Sequence, residues 1–119
     1  MIVGVGVDLV DLTRFEHKLI ETPSLVEKIF SVTERDAKHQ SLAGIWAAKE
    51  AVIKALGNSV GLAWHDVEVS KDAFGKPFLN ISGATKERAE SMGINSWHLS
   101  ISHDGGMAMA FVIAEGANE

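Results

Sequence analysis

Cysteine and tyrosine are absent from this 119-residue chain, and proline occurs only twice. Without a thiol there is no disulfide framework, no zinc–cysteine or iron–sulfur site and no cysteine nucleophile. The scarcity of proline, with 46% hydrophobic and 23% charged residues, excludes collagen-like, disordered and low-complexity classes. No apolar run approaches the roughly 18 residues that a bilayer requires. Residues 2–7, the first apolar stretch, hold two glycines and follow no basic segment, which does not suit a signal peptide. A cytoplasmic protein with no membrane partner is the expectation. Positive charge is also short, with 11 Lys+Arg against 16 Asp+Glu and a net charge of −5. That balance argues against a nucleic-acid partner, which wants a concentrated basic surface, but a few local cations can still hold an anionic ligand. The length suits one domain over residues 1–119, since domains commonly run to about 100–150 residues.

What is present reads as α+β. In residues 2–9 (IVGVGVDL) strand alternation puts Val3, Val5 and Val7 on one face and Ile2, Gly4, Gly6 and Asp8 on the other. Asp8 then ends a strand on a glycine-lined face with no side chains to keep a ligand away. From residue 12 the pattern turns helical in short pieces, with a break at Pro23 and a brief helix to Ile29 behind Ser24. Thr33 and Asp36 resemble a capping box for a helix over residues 34–41. The longest helix is predicted over residues 44–56 (GIWAAKEAVIKAL), with Ile45, Ala48, Val52 and Leu56 facing the core and Gly57 ending it. Two strands, 66–71 and 77–82, flank a hairpin turn at 72–76. A helix over 84–92 is closed by Gly93, and strands 96–103 and 107–114 meet at Asp104-Gly105-Gly106.

The candidate chemistry concentrates in a few residues. Asp8 suits a metal ligand or base projecting from a strand end, although a strand-end Asp equally completes a turn. Glu50 and Lys54 share a helix face, and in isolation such a pair is an ordinary solvated one. Between residues 44 and 57, however, Lys49, Glu50 and Lys54 are the only charges, among alanines that leave room. With Asp8 they offer two carboxylates, which suit Mg²⁺ held with waters and substrate phosphates, and two ammonium groups for phosphate oxygens. Residues 57–61, from Gly57 to Gly61, form a phosphate-loop candidate that offers free backbone N–H groups but follows a helix rather than preceding one. The glycines of residues 4–6 fail the dinucleotide-binding pattern. The five histidines show no metal-ligand spacing. His98 and His103 fall on opposite strand faces, and His103 at the hairpin mouth can touch an anionic ligand. Trp46, Trp64 and Trp97 suit the core better than a stacking platform.

Taken together, GVGVDLVDLTRF, FSVTERD, LAGIWAAKEAVIKALG, KDAFGKP and LSISHDGGMAMAFVI resemble, in order, the signatures of the holo-acyl-carrier-protein synthases, the small 4′-phosphopantetheinyl transferases. The resemblance implies a 4′-phosphopantetheinyl transferase-like fold of antiparallel strands packed on a long central helix. It implies transfer of the phosphopantetheine arm of coenzyme A to a serine of an acyl carrier protein, leaving adenosine 3′,5′-bisphosphate, in support of fatty acid biosynthesis. Asp8 matches the family's metal aspartate and Glu50 its metal glutamate, with Mg²⁺ as cofactor and Mn²⁺ possible. Lys54 matches the lysine on the pyrophosphate, and Lys49, Gly57, Gly61 and His103 join it as expected coenzyme A-binding residues. Arg14 corresponds to the basic residue that meets the carrier, whether free or a domain of a larger synthase. The family is typically a homotrimer with sites between subunits, where the SISHD segment comes from the neighbour. Glu50, acting directly or through a metal-bound water, is the proposed base for the carrier serine. Many relatives carry Arg where this chain has Ile45, so a phosphate contact there is lost or replaced. Two other classes use the same residues: a metal-dependent hydrolase of nucleotide diphosphates, and a non-catalytic coenzyme A- or carrier-binding module.

Overall fold

A computed structural model describes residues 1–117. In chain order it contains strand β1 (Ile2–Asp11), helices α1 (Leu12–Glu21), α2 (Leu25–Ile29) and α3 (His39–Leu56), then a single 3-10 turn (Trp64–Asp66). Strands β2 (Val67–Lys71) and β3 (Pro77–Ile81), helix α4 (Gly83–Ser91), and strands β4 (Ile94–Asp104) and β5 (Met107–Gly116) follow. Strands β1, β5 and β4 form one antiparallel sheet with β5 in the middle, and β2 and β3 form a separate hairpin. The α+β expectation therefore holds, with most boundaries moved by one or two residues.

The core is a helix laid unusually close on a sheet, because both surfaces are made of small residues. Ala108, Ala110 and Ala114 of β5 and Ala47, Ala48 and Ala51 of α3 are all fully buried. In β1, a Cβ built on Gly4 would lie 2.0 Å from the Ala55 carbonyl oxygen, and one on Gly6 would lie 1.8 Å from that of Ala51. This corrects the expectation of an open glycine-lined face. The glycines are there so that the backbone of α3 can fill that face. At the far end Gly57 takes a left-handed φ of 99° and its N–H closes on Ile53 and Lys54, the expected helix stop.

The predicted helix over residues 34–41 does not form. Residues 32–36 are turns, and α3 instead starts at His39 and runs unbroken through the segment expected to begin at 44. The reason lies in Glu34, whose side chain turns inward. Its carboxylate accepts the Ser31 N–H (2.8 Å) and the Val69 N–H (2.8 Å) and pairs with Lys49 at 3.0 Å. The Lys49 ammonium also donates to the carbonyls of Trp64 (3.1 Å) and Val67. Both side chains are out of contact with water, at 0% and 1% exposure. Burial lowers the Lys49 pKa from the ordinary lysine value, against the opposing pull of the Glu34 carboxylate. Lys49→Met leaves Glu34 charged and buried without its partner. The expected loss is about 3–5 kcal/mol of unfolding free energy, read from urea denaturation.

Candidate functional site

Alternation along β1 places Asp8 on the same face as Gly4 and Gly6, two residues beyond the point where α3 touches the strand. Its carboxylate therefore emerges beside the helix rather than under it. Lys54, in the last turn of α3, donates to the Val7 carbonyl and to Asp8 Oδ1, each at 3.0 Å. Its side chain remains 53% exposed and Asp8 is 16% exposed, so the lysine of this pair faces water while the carboxylate is largely covered.

Asp8 and Glu50 line one open cleft of about 340 Å³ with Asp11, Arg14, Phe15, Lys18 and Trp46. The Asp11 side chain caps α1 by accepting the Arg14 N–H at 2.9 Å, so β1 turns directly into a helix carrying Arg14 and Lys18 at the cleft rim. Trp46, one turn before Glu50, lines the wall and meets Trp64 with ring centroids 4.7 Å apart. Partial burial raises the Glu50 pKa, and the neighbouring negative charge of Asp8 adds to this against Lys54 and Lys18. The cleft thus holds the carboxylates of Asp8, Glu50 and Asp11, the last of them engaged in capping α1, with Arg14 and Lys18 as its cations.

Two carboxylates sharing one cleft fit a hard divalent cation completed by water and substrate oxygens. Among the described residues no cluster of three or more metal-ligating side chains exists that would cage an ion without a substrate.

Not every expected residue arrives here. Lys49 does not: it is sealed in the core against Glu34 on another side of α3, so it offers no ammonium to a ligand. Gly57 and Gly61 are exposed in the loop after α3 and are not among the residues lining this cleft. His103 sits at a second cleft of about 220 Å³, lined also by Ser41, Ile45, Val69, Lys71, Gly75, Pro77 and Ile101. Its ring packs against Gly44, where an added Cβ would come within 3.1 Å, and its Nε2 meets the Gln40 carbonyl at 2.9 Å. His98 lies on the opposite sheet face and pairs with Glu115 at 2.9 Å.

The sequence reading missed Trp46 and Lys71 as site residues. Trp46 had a usable signal, since it stands four residues from Glu50 on the same helix. Lys71 had none, because the folding of the β2–β3 hairpin onto α3 brings it in.

The profile of the 4′-phosphopantetheinyl transferase superfamily matches residues 4–112. This chain belongs to that family. A holo-[acyl-carrier-protein] synthase of Kocuria rhizophila is 50% identical over 115 residues, covering 97% of this chain and 94% of that protein. Among solved structures, the Plasmodium yoelii acyl carrier protein synthase with ADP bound matches with a TM-score of 0.90 and 28% identity, covering 99% of this chain and 98% of that one. The Helicobacter pylori holo-[acyl-carrier-protein] synthase in complex with coenzyme A matches with a TM-score of 0.83 and 33% identity, covering 93% of this chain and 99% of that one. Among the described residues of this phosphopantetheinyl transferase, no helix is long and apolar enough to cross a membrane.

Proposed function

We propose that the chain is a cytoplasmic transferase that moves the 4′-phosphopantetheine arm of coenzyme A onto a serine of an apo acyl carrier protein, serving fatty acid synthesis. The observation that carries this reading is the shared cleft of Asp8 and Glu50, lined also by Arg14 and Lys18, with Lys54 paired to Asp8 from the adjoining cleft. The serine oxygen attacks the phosphorus that bears the pantetheine. The bond to the adenosine bisphosphate half breaks, and the serine proton passes to Glu50. Glu50 lines the same cleft as Asp8, which puts a carboxylate within the site where that proton is released. Lys54 is exposed and needs only to swing from Asp8 to meet charge growing on the leaving phosphate. Asp8 and Glu50 would hold Mg²⁺, or Mn²⁺, which when bound neutralises charge on the diphosphate. Arg14 and Lys18, exposed at the rim, face the acidic carrier, so carrier affinity should weaken with salt.

The outer face of the large sheet supports a homotrimer. Val5, Val7 and Leu9 of β1 lie beside Met109 and Phe111 of β5 and are between 38% and 61% exposed, a contiguous apolar surface. A neighbouring copy covering this face also explains how coenzyme A reaches both clefts. Ile45 and Glu50 stand five residues apart on α3, about 140° around the helix, so the two clefts open to different sides. One coenzyme A gripped at both ends runs between two copies, with its nucleotide end in the neighbour's second cleft. There Lys71 and His103 offer the phosphate contacts that Ile45 cannot, and Ile45, Ile101 and Pro77 offer apolar walls for adenine. Phe111→Glu should convert a trimer to a monomer by sedimentation and remove most transfer activity with it.

Intact-mass analysis of an apo carrier incubated with the protein, coenzyme A and Mg²⁺ tests the function. The expected result is a gain of one phosphopantetheine arm that is lost with EDTA and in Asp8→Ala. Consumption of coenzyme A with an unmodified carrier would make the chain a hydrolase. Binding of coenzyme A without turnover of either molecule would make it a binding module.

A further inference from the structure

Two separate joints hold α3 in place, and they serve different clefts. The first is the contact of Gly4 and Gly6 with the carbonyls of Ala55 and Ala51, which fixes α3 against β1 and so fixes Glu50 relative to Asp8. The second is the Glu34–Lys49 pair, and every partner it has lies elsewhere. Lys49 stands one turn after Ile45 on the same helix face, and Ile45 forms one wall of the second cleft. Its ammonium grips the carbonyls of Trp64 and Val67, the entry to β2. Glu34 grips the N–H of Val69, which forms the facing wall from within β2. The pair is therefore a strut between the two sides of that cleft.

Stability alone does not account for a charged strut. A buried ion pair is commonly no better than well-packed apolar residues of the same volume. What it adds is direction: three hydrogen bonds to Trp64, Val67 and Val69 and a fourth to Ser31, with no polar side-chain atom left unpaired among the buried described residues. An apolar contact between α3 and the hairpin can slide, whereas this one cannot.

We propose that Glu34 and Lys49 are positioning residues for the nucleotide end of coenzyme A: they set the gap between α3 and the β2–β3 hairpin into which that end fits. The proposal rests on the nucleotide reading of the second cleft. It assigns the pair no contact with substrate and no part in the chemistry at Asp8 and Glu50.

The test uses the intact protein, the double variant Glu34→Gln/Lys49→Met, and Glu34→Asp, which keeps both charges and shortens the strut by one methylene. Calorimetry measures adenosine 3′,5′-bisphosphate binding, and steady-state assays measure kcat and KM for coenzyme A and for carrier, alongside a thermal melt. In the double variant, the dissociation constant for the bisphosphate and KM for coenzyme A should both rise by about tenfold, with kcat and the carrier KM within about twofold of wild type. In Glu34→Asp the same two constants should rise by about threefold, which keeps the test decisive should the double variant fail to fold. Lower melting temperatures with unchanged bisphosphate binding and coenzyme A KM would reduce the pair to a structural staple and overturn the proposal. A wild-type protein that transfers the arm yet does not bind the bisphosphate would overturn the nucleotide reading of the cleft, and the strut with it, while leaving the transferase intact.

Discussion

Glu50→Gln should lower kcat for arm transfer by about 10³-fold while raising the thermal stability of the metal-free protein at neutral pH. The two effects have one cause. Burial and the charge of Asp8 make the ionised form of Glu50 unfavourable in the folded state, so its pKa there lies above the unfolded value. A carboxyl with a raised folded pKa costs nothing below the unfolded value, about 4.3 for glutamate. The cost grows as pH rises from there through the folded pKa and is complete above it. Glutamine never carries the charge, so the variant's stability advantage should be absent in acid and full at neutral pH. Thermal melts of both proteins without metal, run from acid to neutral pH, check the sign. A variant that keeps full turnover while binding Mg²⁺ and coenzyme A normally would remove Glu50 from the role of base.

The residues that carry this prediction were legible before the structure, and the reason is local. Asp8 ends a clean alternation, and Glu50 and Lys54 share a helix face by spacing alone. The strands and the stop at Gly57 were legible on the same grounds, each written within a dozen residues. The errors are non-local. Glu34 looked like part of a helix start because Thr33 and Asp36 have capping spacing, yet its partners Lys49 and Val69 lie 15 and 35 residues away. Lys49 has the same charge as Lys54, but on the helical wheel it falls only about 40° from Ile45 and about 20° from Leu56, beside the apolar face. A charge on that face signalled a buried partner rather than a ligand. The glycines of β1 suggest room for a ligand on the sequence alone, because no pattern in the strand tells whether a helix will take up the space.

Gly6→Ala tests that last point with a large structural effect. The added methyl would sit 1.8 Å from the Ala51 carbonyl oxygen, 2.7 Å from its carbon and 3.0 Å from the Ala55 nitrogen. All three are backbone atoms of one helix, so no rotamer change relieves the overlap and α3 has to retreat from β1 as a body. The expected loss is about 3 kcal/mol or more, against about 1–2 kcal/mol for Gly57→Ala, where the methyl meets nothing within 4 Å and only the left-handed backbone is strained. Urea denaturation separates the two. The activity loss should be disproportionate as well. A retreat of about 1 Å carries Glu50 and Lys54 away from Asp8, and a misplacement of that size costs about 10²-fold in rate even in molecules that remain folded. Transfer rates per folded molecule should therefore drop in Gly6→Ala and hold in Gly57→Ala. Equal rates per folded molecule in both would mean that the glycine contact supports the core without setting the geometry of the carboxylates.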